Sequence, residues 1–208
     1  MPEIIAPMDI EKRSMEIISE TLGSRVLDPE NEAVIKRVIH STADFDFADT
    51  LTFSEHAVSK GIEALRSGCD IVTDTQMAKA GINKRVLASL GGEVHCFMSD
   101  PDVAEEAKAR GITRAAVSME KAAKLSKPCI YAIGNAPTAL FALRELIDSG
   151  QLNAALIIAV PVGFVNVVES KELIIASSVP YIAARGRKGG SPVAAAICNA
   201  MLYQIRRD

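Results

Sequence analysis

Apolar positions recur at helical spacing through residues 12–22, with Met15, Ile17, Ile18 and Leu22 on the run and Gly23-Ser24 ending it. A second helix is predicted over residues 30–40, opened by Asp28-Pro29-Glu30 and carrying Ala33, Val34 and Val38. It is expected to expire near His40, because Ser41-Thr42-Ala43-Asp44 reads as loop chemistry. Ser54 is placed as the N-cap of a third helix, with Ala57, Ile62 and Leu65 inward and Ser67-Gly68 as its stop.

From there short apolar runs alternate with helical segments. Strands are predicted at Cys69–Thr73, Glu93–Met98, Cys129–Gly134, Ala155–Val160 and Val179–Ala183. Helices fall between them at about 75–80, 84–90, from Pro101, 114–125, Pro137–Ile147 and 164–176, and a last one runs from Ser191 to about Arg206. That alternation implies an α/β chain: a three-layer, Rossmann-like fold whose mainly parallel central sheet is flanked by helices. One domain spanning 1–208 is expected, with no repeat or linker. In such folds ligands bind beyond the carboxyl ends of the strands, which selects the turns after Thr73, Met98, Gly134, Val160 and Ala184.

Composition narrows the partners. A net charge of −3 without a basic run argues against nucleic acid or an anionic membrane surface. Cys69, Cys96, Cys129 and Cys198 form no C-x-x-C pair and read as reduced core thiols of a cytoplasmic protein. Met1-Pro2-Glu3 does not open a targeting signal, and the longest apolar run, Ala154–Val162, is too short to span a bilayer.

Candidate chemistry gathers in residues 37–49. Arg37 and His40, three apart on a helix, share a face, and Ser41, Thr42, Asp44, Asp46 and Asp49 follow. His40 suits acid–base catalysis, because imidazole titrates near neutrality. His95, mid-strand, is expected in or beside the core, and His56 at the surface. Zinc held by His40, Asp44 and Asp46 lacks a ligand spacing, so no metal is expected, and a serine hydrolase lacks its G-x-S-x-G elbow.

Two further turns suit anions. Gly134-Asn135-Ala136-Pro137-Thr138 opens a helix after a strand, which allows close backbone approach and free N–H groups. Arg185-Gly186-Arg187-Lys188-Gly189-Gly190-Ser191 sets three cations among three glycines, with neither the Walker A nor the dinucleotide spacing. Pro161–Asn166 is nearly uncharged and could wall a flat ligand, while Glu169, Lys171 and Glu172 after it read as a solvated helix face.

The stretches Arg37–Asp44, Gly134–Leu140, Gly163–Lys171 and Arg185–Ser191 together resemble the precorrin-8X methylmutase family, in order and across essentially the whole chain. The resemblance implies an isomerase of cobalamin (vitamin B12) biosynthesis that moves a methyl group from C11 to C12 of precorrin-8X or cobalt-precorrin-8. It needs no methyl donor and no cofactor beyond any cobalt its substrate carries. It also implies His40 as the active-site histidine, Ser14 and Arg37 as substrate contacts, and a homodimer with the corrinoid near the subunit interface. The residues are compatible with this. Arg37, the Arg185, Arg187 and Lys188 loop, and the helix starts at Asn135 and Ser191 could hold the substrate's carboxylate arms, with Val162, Phe164 and Phe45 as an apolar slot. Such chemistry requires His40 to keep its proton near neutral pH, for which Asp44 or a substrate carboxylate is the expected neighbour. A non-catalytic corrinoid carrier and a nucleotide-dependent oxidoreductase are the competing readings.

Overall fold

The computed structural model describes residue 6 and residues 9–206. Met1-Pro2-Glu3, read above for a targeting signal, lies outside the described residues. Six strands form one sheet in the order β1-β6-β5-β4-β2-β3: β1 Leu51–Phe53, β2 Asp70–Thr73, β3 Val94–His95, β4 Cys129–Ile133, β5 Ala154–Ala159 and β6 Tyr181–Ala184. All neighbours run parallel except β1, which pairs antiparallel with β6 in the register Leu51↔Ala184. The mainly parallel sheet expected from the alternation is therefore present.

The two-residue period of the strands divides the core. Ile71, Ile130, Ala132, Leu156, Ile158 and Ile182 face one side, and Val72, Tyr131, Ile133, Ile157, Ala159 and Ala183 the other. The first side is covered by α1 Ile10–Leu22, α2 Glu32–Thr42, α4 Ala57–Arg66, α6 Lys84–Ser89 and α11 Ser191–Ile205. The second is covered by α8 Arg114–Ala122, α9 Pro137–Asp148 and α10 Val167–Ile175. Helix α11 is apolar almost all round because it lies between the sheet and α2, with ten of its residues buried. The short helices α3 Phe47–Thr50 and α5 Gln76–Gly81, with α7 Pro101–Arg110, complete the described elements. Among the described residues no helix is long and apolar enough to cross a membrane.

Several expectations change. Ser54 is not the N-cap of α4. Its Oγ accepts from the Tyr181 N–H at 2.9 Å, which extends the β1–β6 pairing, and His56 precedes the helix in the left-handed region. Strand β1, absent from the sequence reading, is a three-residue antiparallel edge too short to show a period. The expected strand 93–98 shrinks to Val94–His95, because only β2 lies beside it. Helix α2 runs on to Thr42: the Ser41 and Thr42 hydroxyls both donate to the Val38 carbonyl, at 2.9 and 2.8 Å, so they finish the helix instead of leaving it.

Candidate active site

Helix α2 delivers His40 to its last turn, three residues before the left-handed cap. Ala43 caps it in the left-handed region (φ 54), where Cβ sterics disfavour a non-glycine residue. His40, exposed, shares a cavity of about 290 Å³ with Ser14 of α1, and Ile17, Ile18, Ile39, Ala43 and Phe45 line the rest. The residues brought together are thus an imidazole, a hydroxyl and an apolar wall. The Ser14 Oγ donates to the Ile10 carbonyl at 2.8 Å, one turn back.

Arg37 lies one turn before His40, but its guanidinium is not part of that cavity lining. It donates to Glu11 at 2.5 Å and lies over the Tyr203 ring at 5.2 Å, with its side chain 13% exposed. This couples α2 to α1 and α11, so a ligand carboxylate would have to compete with Glu11 for it.

Of the two neighbours offered for His40, Asp44 or a substrate carboxylate, Asp44 is engaged by another side chain. The carboxylates of Asp44 and Asp46 both accept from the Lys188 ammonium at 2.6 Å. Lys188 holds the Asp44 carboxyl below its ordinary range, and the two carboxylates raise the lysine in turn. Among the described residues, no carboxylate lies within ion-pair distance of His40. What Lys188 does is bind the cationic loop after β6 to the turn after His40, 144 residues apart in sequence.

That loop is held from below. Arg185 pairs with Glu172 at 3.4 Å, and Arg187 lies over the exposed Phe164 ring at 5.9 Å. Lys171, read as part of a solvated face, is instead 0% exposed, on the same buried stripe of α10 as Val167 and Ile174. Its ammonium donates to the carbonyls of Gly186 at 2.8 Å and Lys188 at 2.9 Å, and burial pushes its pKa down to about 8. The signal for it was a lysine at core spacing in an apolar helix.

The sheet order reverses between β2 and β4, where this class of fold opens its ligand crevice. Here the chain fills the crevice itself. Asp74, directly after β2 and 1% exposed, accepts from the N–H groups of Gly134 at 2.9 Å, Asn135 at 2.8 Å and Ala136 at 2.6 Å. Burial pushes its carboxyl up, against three N–H dipoles that favour the charged form. The backbone anion cradle expected at Asn135 is therefore occupied by an internal carboxylate, and Asp74 went unnoticed in the sequence. The Asn135 side chain stays exposed at the rim. Ser191, at the first turn of α11 and 9% exposed, shares a hydrogen bond of 2.7 Å with Thr75. An internal carboxylate where a pyrophosphate would sit weighs against the nucleotide reading.

His95 and His56 are accounted for structurally. His95 Nε2 lies 3.2 Å from Asp70 and its ring stacks on Phe97, while His56, largely exposed, meets Glu30 at 3.1 Å. All four cysteines are buried and free. Among the described residues no cluster of three or more His, Cys, Asp or Glu could hold a metal ion.

A three-layer α/β fold with an imidazole at an apolar cavity, a cationic loop tied beside it and an internal carboxylate at the crevice suits a non-nucleotide, anion-bearing ligand. Known proteins make the class specific. Residues 9–204 match the precorrin-8X methylmutase family model (CbiC), and the chain belongs to that family. It is 48% identical over 212 residues to the cobalt-precorrin-8 methylmutase of Salmonella typhimurium, covering 99% of both chains. It is 42% identical to the precorrin-8X methylmutase of Pseudomonas aeruginosa over 82% of each. The crystal structure of precorrin-8x methyl mutase from Thermus thermophilus superposes with a TM-score of 0.85 at 36% identity, covering 94% of this chain and 96% of that one. The protein is accordingly an isomerase, an intramolecular methylmutase of cobalamin biosynthesis. The carrier reading is not favoured.

Proposed function

We propose that the chain, as one domain over 1–208, moves a methyl group from C11 to C12 of precorrin-8X or cobalt-precorrin-8, with His40 as the acid. The product is hydrogenobyrinate or its cobalt counterpart, cobyrinate. The observation that carries this is the meeting of His40 and Ser14 at one apolar-walled cavity whose far side is tied, through Lys188 and Asp44, to the cationic loop. The substrate is a flat conjugated ring with many carboxylate arms. Such a ligand needs an apolar slot with separated cations around it.

In this reading protonated His40 donates a proton or strong hydrogen bond to the macrocycle. Electron density is drawn from the conjugated system, the methyl–C11 bond breaks as the methyl–C12 bond forms, and His40 recovers its proton. Composition is unchanged and no donor is consumed. Because Asp44 is engaged by Lys188, a substrate carboxylate is the anion this reading places beside His40. Arg185 and Arg187 receive other arms, and so do Arg37 and Lys188 where a substrate carboxylate displaces Glu11 or Asp44 and Asp46. With its backbone cradle filled by Asp74, Asn135 offers its side chain and Ser191 its hydroxyl, and Val162 and Phe164 lie against the ring face. The higher identity and coverage of the relative named for the cobalt form favours that form as substrate. In this reading the site works in a cytoplasmic homodimer, with the substrate near the subunit interface.

The test is His40→Ala, incubated with both precorrin-8 forms while the colour change is followed. The expected result is loss of about a hundredfold or more in rate with the fold intact, by the usual size of acid catalysis. A folded variant that converts substrate at near wild-type rate ends the proposal. Faster rearrangement of the metal-free ring by the wild type would reverse the choice of substrate.

A further inference from the structure

We infer that Lys171 is a positioning residue for substrate binding: from beneath the 185–191 loop it fixes which side of that loop's backbone faces the ligand. The inference rests on the reading of this loop as a seat for substrate carboxylates.

Three consecutive loop carbonyls are turned inward. Gly186 and Lys188 give theirs to the Lys171 ammonium at 2.8 and 2.9 Å, and Arg187 gives its own to the Gly163 N–H at 3.1 Å. Gly190 then ties the loop's end to the Val160 carbonyl at 2.8 Å. With the carbonyls held inward, the side chains of Arg185, Arg187 and Lys188 are exposed. A carbonyl oxygen is the negative end of its dipole, so a loop meant for carboxylates must keep such oxygens away from them. Gly186 (φ +79) and Gly189 (φ +156) give this segment alternative backbone conformations, so something has to choose among them.

A lysine at this position has a cost that an apolar residue would not. Its buried neighbours on α10 are Val167, Ile174 and Ser170, whose hydroxyl donates to the Val167 carbonyl, and no carboxylate is within ion-pair distance among the described residues. Its hydrogen-bond acceptors are two carbonyls of that one loop. Lys188 extends the same linkage: its carbonyl is held by Lys171 while its ammonium clamps Asp44 and Asp46 beside the His40 cavity.

The experiment compares Lys171→Met and Lys171→Gln with wild type, recording melting temperature, kcat and KM for the precorrin-8 form that the wild type turns over. Methionine keeps the volume and loses every donor. Glutamine is shorter and reaches at most one of the two carbonyls. The expected result is a KM raised about tenfold or more in the methionine variant, less in the glutamine variant, with kcat within about threefold in both. A lower melting temperature with KM unchanged in either folded variant means a purely structural lysine and overturns the inference. Should the methionine variant fail to fold, the glutamine variant decides alone. Arg187→Met run in parallel separates the two claims. If it too leaves KM unchanged, the loop is not a substrate seat; if it raises KM while Lys171 variants do not, only the role of Lys171 falls.

Discussion

Lys171 also leaves a signature in stability. Folded, its pKa is pushed down to about 8 by burial; unfolded, it returns to the ordinary 10.5. Between those values the unfolded chain holds a proton that the folded chain has released, so stability rises with pH across that window. The full gain is on the order of 3 kcal/mol. Urea unfolding at pH 8 and pH 10 should show wild type gaining stability relative to Lys171→Met, whose difference removes the contribution of other groups. Parallel behaviour of the two proteins would mean that the ammonium is not desolvated. Residue-level reading of sequence had treated Lys171 as solvated like its neighbours Glu169 and Glu172. Charge alone misled there, while the 3.6-residue spacing from Val167 to Lys171 to Ile174 pointed inward.

Among elements, the start of α9 depends on a side chain from another strand. Asp74 satisfies three N–H groups at the β4–α9 turn, 60 to 62 positions away, and Gly134 lets that turn lie against the start of α11. A Cβ at Gly134 would lie 2.7 Å from the Ser191 Cα, against backbone that cannot step aside. Asp74→Asn keeps the shape but sets an amide NH₂ against donors, leaving at least one buried N–H unmatched. A loss of about 1–3 kcal/mol in unfolding free energy is expected by chemical denaturation. An unchanged midpoint would show that these bonds do not hold the turn. The helix and strand boundaries here were legible because Gly and Pro punctuate them. The plug was not, since nothing local distinguishes Asp74 from any acid that follows a strand.

At the scale of the molecule, three strongly exposed apolar side chains stand close together on one loop. Phe164 is 84% exposed, Val165 77% and Val162 48%, all on the segment after β5 that faces Arg187. Exposed apolar clusters of this kind suit contact with a ring face or with a second chain. The proposed homodimer is checked by sedimentation, which should give twice the mass of one chain at micromolar concentration. A monomer that still turns over substrate would mean that one chain completes the site unaided.

The alternation of short apolar runs with helical periods was enough to specify a mainly parallel sheet between helices, because period and connection length leave few other arrangements. It also singled out His40, Arg37 and the glycine-rich cationic loop, whose residue types carry their chemistry wherever they stand. Only the tertiary structure decided what those groups touch. It turned Arg37 onto Glu11 and Tyr203, gave Asp44 to Lys188, filled the crevice with Asp74 and put Lys171 beneath the loop. Each of these joins segments distant in the chain, and a hydrogen bond depends on distance and direction in space, which no local pattern encodes.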